Sequence, residues 1–219
     1  MNLTCYDYLK MSAKKTGDFN AVLAFGSKTK LSKLIKDIDA IAAYINSIGI
    51  KQGDVVTVFL PNVVHAFTVF YALNKIGVIA NIVHPLTSPE GLEESISVTK
   101  SKAIFILDIL AAKYADVINK SGNPCIVCSN SDYIIAPVVP AFRIFEKIKG
   151  KGLDGFKKSI KYSKAVSEGS RYKAVECHDG ARTAVYLHGG GTTGKSKTIM
   201  LSSNNLNNLA EKLNTLDVP

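Results

Sequence analysis

Apolar positions along the chain alternate between two spacings, and the switches predict its elements. Leu31, Leu34, Ile35, Ile38, Ile41, Ala42, Ile45 and Ile48 recur at helical spacing, with Gly49 placed to end the helix. Val55-Val-Thr-Val-Phe-Leu60 is continuous and β-branched, as a strand buried on both faces would be, and Pro61-Asn62 breaks it. His65 to Ile76 reads as an apolar helix stopped by Gly77, and Val78 to Val83 as a second strand. Pro89-Glu90 opens a helix towards Lys100, because proline is tolerated in a first helical turn. Ala103 to Leu107 is a third strand, Leu110 to Asn119 a helix, and Cys125 to Cys128 a fourth strand.

Buried strands alternating with helices predict an α/β fold, a largely parallel sheet flanked by helices. The pattern lapses from about Ser129 to Gly180 and resumes at Thr183 with a strand that enters a glycine-rich loop. The chain is therefore divided into an α/β part over 1–129, an irregular basic connection over 130–182, and a loop hairpin with its following helix over 183–219.

With 219 residues, 47% of them hydrophobic, the chain is long enough for a real core. Asp7 and Lys10 interrupt any apolar leader, and no apolar run approaches the length of a membrane span, so a cytoplasmic location is expected. Cys125-Ile-Val-Cys128 has metal-ligand spacing, but a zinc site needs a second pair, and Cys177-His178 are adjacent rather than spaced. The pair reads as part of a buried strand, and no metal site is expected. His65 and His84 read as structural histidines on a helix face and in a turn, without a nucleophile–base partner nearby.

Of the net charge of +9, +7 lies in residues 143–173, where ten Lys or Arg oppose Glu146, Asp154 and Glu168. Leu153, Phe156 and Ile160 would share one helical face there, ringed by Lys157, Lys158, Lys161 and Lys164. That is a weak form of a surface-lying amphipathic helix, so weak peripheral contact of 143–173 with an anionic membrane stands beside the reading as a solvated basic surface. Nucleic acid is not expected as a partner.

Tyr186-Leu-His-Gly-Gly-Gly-Thr-Thr-Gly-Lys-Ser-Lys-Thr-Ile-Met-Leu201 is where a chemistry is named. Gly189, Gly194, Lys195 and Ser196 fit G-x-x-x-x-G-K-[ST], the Walker A loop of P-loop NTPases and kinases. A Walker A loop runs directly into a helix whose N-terminal amides hold the phosphates. Here Thr198-Ile-Met-Leu201 is β-prone, and helix signals begin only at Ser202 or Ser203, followed by Leu206, Leu209, Ala210 and Leu213. Strand, glycine turn, strand, helix is the predicted order, which argues against Walker A.

Gly191-Thr192-Thr193-Gly194-Lys195-Ser196-Lys197 resembles the Gly/Ser-Thr-Thr-Gly-x-Pro-Lys loop of the adenylate-forming (AMP-binding) superfamily, which includes acyl-CoA synthetases. Gly49 to Asn62 resembles that family's G-D-x-V…L-P-N stretch, Tyr71 to Ala80 its A-x-x-K-x-G-A passage, and His84 to Glu90 its N-P-L…P-E turn. Tyr6 to Leu9 fits its opening helix, so the resemblance runs from about residue 4 to 213. Ser196 stands where the family usually has proline, Gly190 where it usually has a serine, and Thr198 where glycine is common.

The resemblance implies part of the large N-terminal domain of such an enzyme, with a phosphate-binding set of Gly190, Gly191, Thr192, Thr193, Gly194, Lys195 and Lys197. The glycines would let amides approach the oxygens, the threonines supply hydroxyls, and the lysines add charge. The implied reaction is activation of a carboxylate, a fatty acid by similarity around Leu187-His-Gly-Gly190, as acyl-AMP and then as a thioester. Its small-molecule partners would be the carboxylate, ATP with Mg²⁺, and CoA. The family's downstream Tyr-Gly-x-Thr-Glu and Thr-Gly-Asp motifs and its C-terminal domain with a catalytic lysine do not occur in these residues. No catalytic residue is therefore assigned, and the chain is expected to be an N-terminal portion without turnover of its own. A P-loop NTPase and a non-catalytic basic binding piece are the alternatives.

Overall fold

The strands with continuous apolar character form the centre of a sheet that is covered on both faces. A computed structural model describes residues 2–24, 26–134, 155–189 and 197–215. Helix α1 (Cys5–Thr16) is followed by an antiparallel hairpin of β1 (Asn20–Ala24) and β2 (Ser27–Lys30) and by α2 (Leu31–Ser47). Then β3 (Val55–Phe59), α3 (Val64–Lys75), β4 (Ile79–Ile82), α4 (Pro89–Thr99), β5 (Ile104–Leu107), α5 (Ala111–Ser121) and β6 (Cys125–Cys128) alternate. The last described elements are β7 (Ser159–Lys161), α6 (Tyr162–Gly169), β8 (Thr183–Gly189), β9 (Lys197–Ser202) and α7 (Ser203–Thr215).

The main sheet has seven strands in the order β7-β6-β5-β3-β4-β8-β9, parallel except for β9, which runs antiparallel to β8 at the edge. Alternate residues of each strand serve opposite faces. Val56, Val58, Phe105, Ile126 and Val185 pack with Leu34, Ile38, Ile41 and Ile45 of α2 and Val69 and Leu73 of α3. Phe59, Ile104, Ile106 and Val127 pack on the other face with Leu92 and Ile96 of α4 and Tyr114 and Ile118 of α5. Each fully buried aliphatic side chain of this kind contributes about 1.5–3 kcal/mol, which is why two half-cores suffice to fix the layers.

Two stretches differ from the sequence expectations. The hairpin β1–β2 was not anticipated: β1 is short, with Ala21, Val22 and Ala24 half-buried against the core, and its partner β2 is polar. Within 130–182 the described residues supply β7 and α6, and residues 157–161 are a turn and an edge strand rather than an amphipathic helix. Phe156 is buried against the α4–α5 face and Ile160 packs against the opposite core, so neither presents an apolar face to a membrane. That corrects the expectation of an amphipathic helix there and leaves membrane contact through this segment without support; residues 143–154 lie outside the described residues. No helix among the described residues is long and apolar enough to cross a membrane.

Candidate functional site

From β3 the chain steps to β4 on one side and then crosses to β5 on the other, placing α3 and α4 on opposite faces. The connections thus diverge just beyond the carboxyl ends of β3 and β4, where open α/β sheets bind their ligands. A cleft of about 910 Å³ opens there, between the ends of β3, β4 and β8 and one face of α4. Leu60, Pro61, Val83, Leu86, Val98 and Leu187 give it apolar walls, while Glu94, Ser95, Thr99, His188 and Thr198 supply polar groups.

The glycine-rich loop starts at the edge of this cleft. The β8–β9 ladder is last paired at Gly189 opposite Lys197, and both Gly189 and Thr198 border the cleft or its rim. Gly190, Gly191, Thr192, Thr193, Gly194, Lys195 and Ser196 connect those ends and lie outside the described residues. Lys197 is exposed at the start of β9. A strand therefore follows the loop, and the helix begins only at Ser203. Ser202 caps that helix, its hydroxyl accepting the Asn205 N–H at 3.2 Å while Asn205 Oδ1 accepts from the Ser202 N–H at 2.9 Å. The strand removes the helix N-terminus that Walker A chemistry requires.

Beneath the cleft lies a polar network that the sequence reading missed. Asn81 of β4 and Thr57 of β3 are fully buried and opposite each other in register. Asn81 Nδ2 donates to Thr57 Oγ1 at 3.1 Å, to Ser95 Oγ at 3.0 Å and to Thr99 Oγ1 at 3.3 Å. Thr57 and Ser101 hydroxyls meet at 2.7 Å, and Thr99 and Ser101 at 2.9 Å. At the cleft end, His188 Nε2 lies 2.7 Å from Asn81 Oδ1 and 3.3 Å from Ser95 Oγ. Partial burial lowers the His188 pKa, because desolvation disfavours the imidazolium. The available signal was a polar residue inside each apolar strand, Thr57 and Asn81.

The remaining candidates are structural. Cys125 and Cys128, three residues apart on one strand, face opposite sides of the sheet, and Cys125 packs with the α4–α5 core while Cys128 packs with the other. Burial pushes the Cys125 thiol up to about 12 and raises that of Cys128 as well, which suits inert core thiols. His65 is buried with Nε2 3.0 Å from Asp132 Oδ2, its ring set edge-on to Tyr133 and Tyr162. His84 Nδ1 accepts the Leu86 N–H at 3.2 Å within the turn after β4. Among the described residues no cluster of three His, Cys, Asp or Glu could hold a metal ion.

A doubly wound, mostly parallel sheet with a cleft at its switch point defines an α/β domain of the open ligand-binding kind. The model of the AMP-binding enzyme family matches residues 9–218, and the chain belongs to that family. A long-chain-fatty-acid–CoA ligase of Bacillus subtilis is 26% identical over 214 residues, covering 94% of this chain and 37% of that protein. A probable CoA ligase of Humulus lupulus is 25% identical over 188 residues, covering 84% of this chain and 30% of that protein. The chain thus spans about a third of the length of such relatives, 30% and 37% of these two. Among solved structures, a long-chain-fatty-acid–CoA ligase from Archaeoglobus fulgidus superposes with a TM-score of 0.73 at 18% identity, over 97% of this chain and 39% of that one. An anthranilate CoA ligase in complex with anthranoyl-AMP superposes with a TM-score of 0.76 at 12% identity, over 96% of this chain and 37% of that one.

Proposed function

We propose that this chain is the N-terminal portion of an ATP-dependent acyl-CoA ligase and contributes the triphosphate-binding wall of its active site. The observation that carries the reading is the hairpin β8–β9, whose ends at Gly189 and Thr198 border an apolar cleft at the switch point of the sheet and are joined in sequence through Gly-Thr-Thr-Gly-Lys-Ser-Lys. In the proposed reaction a carboxylate oxygen of a fatty acid attacks the α-phosphorus of ATP and pyrophosphate leaves. A thiol, that of CoA, then attacks the acyl carbon and AMP leaves.

In this reading backbone amides of Gly190, Gly191 and Gly194 approach the phosphate oxygens, Thr192 and Thr193 donate hydroxyl protons, and Lys195 and Lys197 offset the charge. Mg²⁺ would accompany the nucleotide and neutralise phosphate charge. The apolar walls would take the first carbons of the acyl chain. The division into a 1–129 unit, a 130–182 connection and a 183–219 loop unit, and a cytoplasmic location, belong to the same proposal.

Calorimetric titration of the 219-residue chain with MgATP tests the loop assignment. Removing a charged hydrogen-bond donor costs about 1.5–3 kcal/mol, so Lys197→Ala should weaken binding roughly ten-fold or more. Unchanged affinity in that variant would count against it. Fatty-acid-dependent pyrophosphate release by these 219 residues alone would overturn the partial-site reading.

A further inference from the structure

Charge and exposed apolar surface coincide at one corner of the molecule outside the cleft. Residues 10–36 hold seven lysines against a single acid, Asp18, a balance of +6. Together with the +7 of residues 143–173, this leaves the remainder of the chain net negative. All seven lysines are exposed. The acids around them are committed elsewhere. Asp18 accepts from the Ser32 N–H at 2.9 Å and lies 3.8 Å from Lys30, and buried Asp37 is held by Lys33 and the Tyr133 hydroxyl. Asp39 is held by Lys75 and the Tyr6 hydroxyl, while Asp7 with His178 and Glu211 with Tyr8 lie at the start of α1. Lys14, Lys15, Lys28 and Lys36 stand outside these pairs.

Three elements meet here. The Ser32 hydroxyl donates to Asp18 at 3.0 Å and the Leu31 N–H donates to the Phe19 carbonyl at 2.8 Å, joining the end of α1, the β1–β2 hairpin and the first turn of α2. Leu23 is 70% exposed and pairs with Lys28 across the hairpin, which puts both side chains on one face. The neighbouring pair, Val22 and Thr29, turns inward. Phe19, 49% exposed, enters the hairpin, and Met11, 39% exposed, sits one turn before Lys14 and Lys15 on α1. Exposed apolar side chains flanked by lysines suit a surface that offers hydrocarbon beneath anionic headgroups. Nucleic acid is a poorer match, because none of the seven basic residues is arginine and Leu23 has no π-face for a base to stack on. Ala24, next to Leu23, borders a small cavity with Val63 and Val64, which follow the cleft-lining Leu60, Pro61 and Asn62. The hairpin therefore stands at the end of the sheet where the cleft opens.

We propose that the β1–β2 hairpin, with the last turn of α1 and the first turn of α2, docks on an anionic lipid surface. Leu23 and Phe19 enter below the headgroups, and Lys14, Lys15 and Lys28 meet lipid phosphates. Docking is independent of the ligase reading; only its consequence, that the cleft draws long acyl chains from the same leaflet, rests on that reading.

The test is cosedimentation of the 219-residue chain with vesicles of equal parts phosphatidylcholine and phosphatidylglycerol, and with phosphatidylcholine alone, in about 0.15 M salt. Binding is expected to the anionic vesicles only. Lys14→Glu combined with Lys28→Glu should lower the partition coefficient at least about ten-fold, since each lysine near such a surface adds its own attraction. Leu23→Ser should lower it about five-fold, a loss that a purely electrostatic contact would not show. Lys157→Glu, Lys158→Glu and Lys161→Glu together should matter less than the Lys14 and Lys28 pair. All of these side chains are exposed, so the variants leave the core intact. No sedimentation with anionic vesicles, equal sedimentation with both kinds, or a greater loss in the 157–161 variant would overturn the proposal. Binding that RNA displaces and that Leu23→Ser leaves unchanged would assign the corner to another polyanion and overturn it too. MgATP affinity, measured on the same variants, reports on the ligase reading separately.

Discussion

At the scale of single residues, close approach constrains the fold as firmly as chemistry constrains the site. Gly169 ends α6 against α2, where an added Cβ would sit 1.9 Å from the Ala40 carbonyl oxygen and 3.0 Å from Tyr44 Cβ. Backbone cannot yield as a flexible side-chain tip can, so Gly169→Ala should cost about 3 kcal/mol, the upper part of the overpacking range. Gly122 makes a useful contrast, with φ of +70° but nothing within 4 Å of an added Cβ. Gly122→Ala should cost only about 1–2 kcal/mol, the strain of a left-handed backbone. Urea midpoints for the two variants check the order, and equal losses would show that α2 and α6 separate easily. None of this was legible beforehand, because a glycine in sequence does not announce which carbonyl lies above it. Thr57 and Asn81 had the same difficulty: each reads as a tolerated polar residue in a strand until the register sets them face to face.

Elements with a strong period were legible, and the short strands of three to five residues outside that pattern were not. The helices at 31–47, 64–75 and 89–99 and the strands β3 to β6 fall where apolar spacing and Gly or Pro punctuation put them, because burial and backbone geometry agree there. The β1–β2 hairpin and β7 are short edge pieces without such a pattern. The basic segment misled for a physical reason: Phe156 and Ile160 fit a helical stripe, but they belong to two different half-cores. The start of α1 shows how a polar signal can instead be decisive. Asp7 Oδ2 accepts from the Thr4 N–H at 3.0 Å and from the Thr4 hydroxyl at 2.7 Å, the Asp7 N–H donates to Thr4 Oγ1 at 3.1 Å, and Asp7 Oδ1 lies 2.9 Å from His178 Nδ1. Burial alone would raise the Asp7 pKa, but the hydrogen bonds from Thr4 and His178 outweigh it and hold the carboxyl below its ordinary value. A depressed native pKa adds stability that is present above the unfolded value of about 3.9 and is lost as pH falls through the native value. Asp7→Asn should therefore lower stability by about 1 kcal/mol at pH 7, the scale of a lost helix cap. Its deficit against the unsubstituted chain should shrink below about pH 4. Thermal melts at pH 7 and pH 3 check this, and a deficit that does not change with pH would dismiss the carboxylate as the cause.

For the whole molecule, the same face that carries no site residue holds the strands in place for the face that does. Lys75, the lysine of the Tyr71–Ala80 passage, ends α3 with its side chain 7% exposed. Its Nζ lies 2.7 Å from Asp39 of α2, 3.0 Å from Glu176 in the strap before β8, and 3.3 Å from the Tyr6 hydroxyl of α1, whose ring it also overlies at 4.8 Å. The Cys177 N–H donates to the Lys75 carbonyl at 2.7 Å, fastening the strap just before it turns into β8. One side chain thus ties three helices to the segment that delivers His188 and the loop. That gives the motif lysine a structural role here, although it resembles a family signature that could have been read as catalytic. Both carboxylates are more than 40% exposed, so water would relieve them if the lysine were lost. The penalty should then fall below the 3–5 kcal/mol of a fully buried broken pair, at about 2 kcal/mol for Lys75→Ala. Lys75→Met keeps the apolar stem against Tyr6 and should recover part of that loss. If the junction also sets the strap, Lys75→Ala should speed amide exchange along Thr183–Leu187 more than along β5, which is separated from β8 by β3 and β4. Uniform acceleration across the sheet would instead mean that Lys75 contributes only to global stability, and that β8 is positioned by its own pairing with β4.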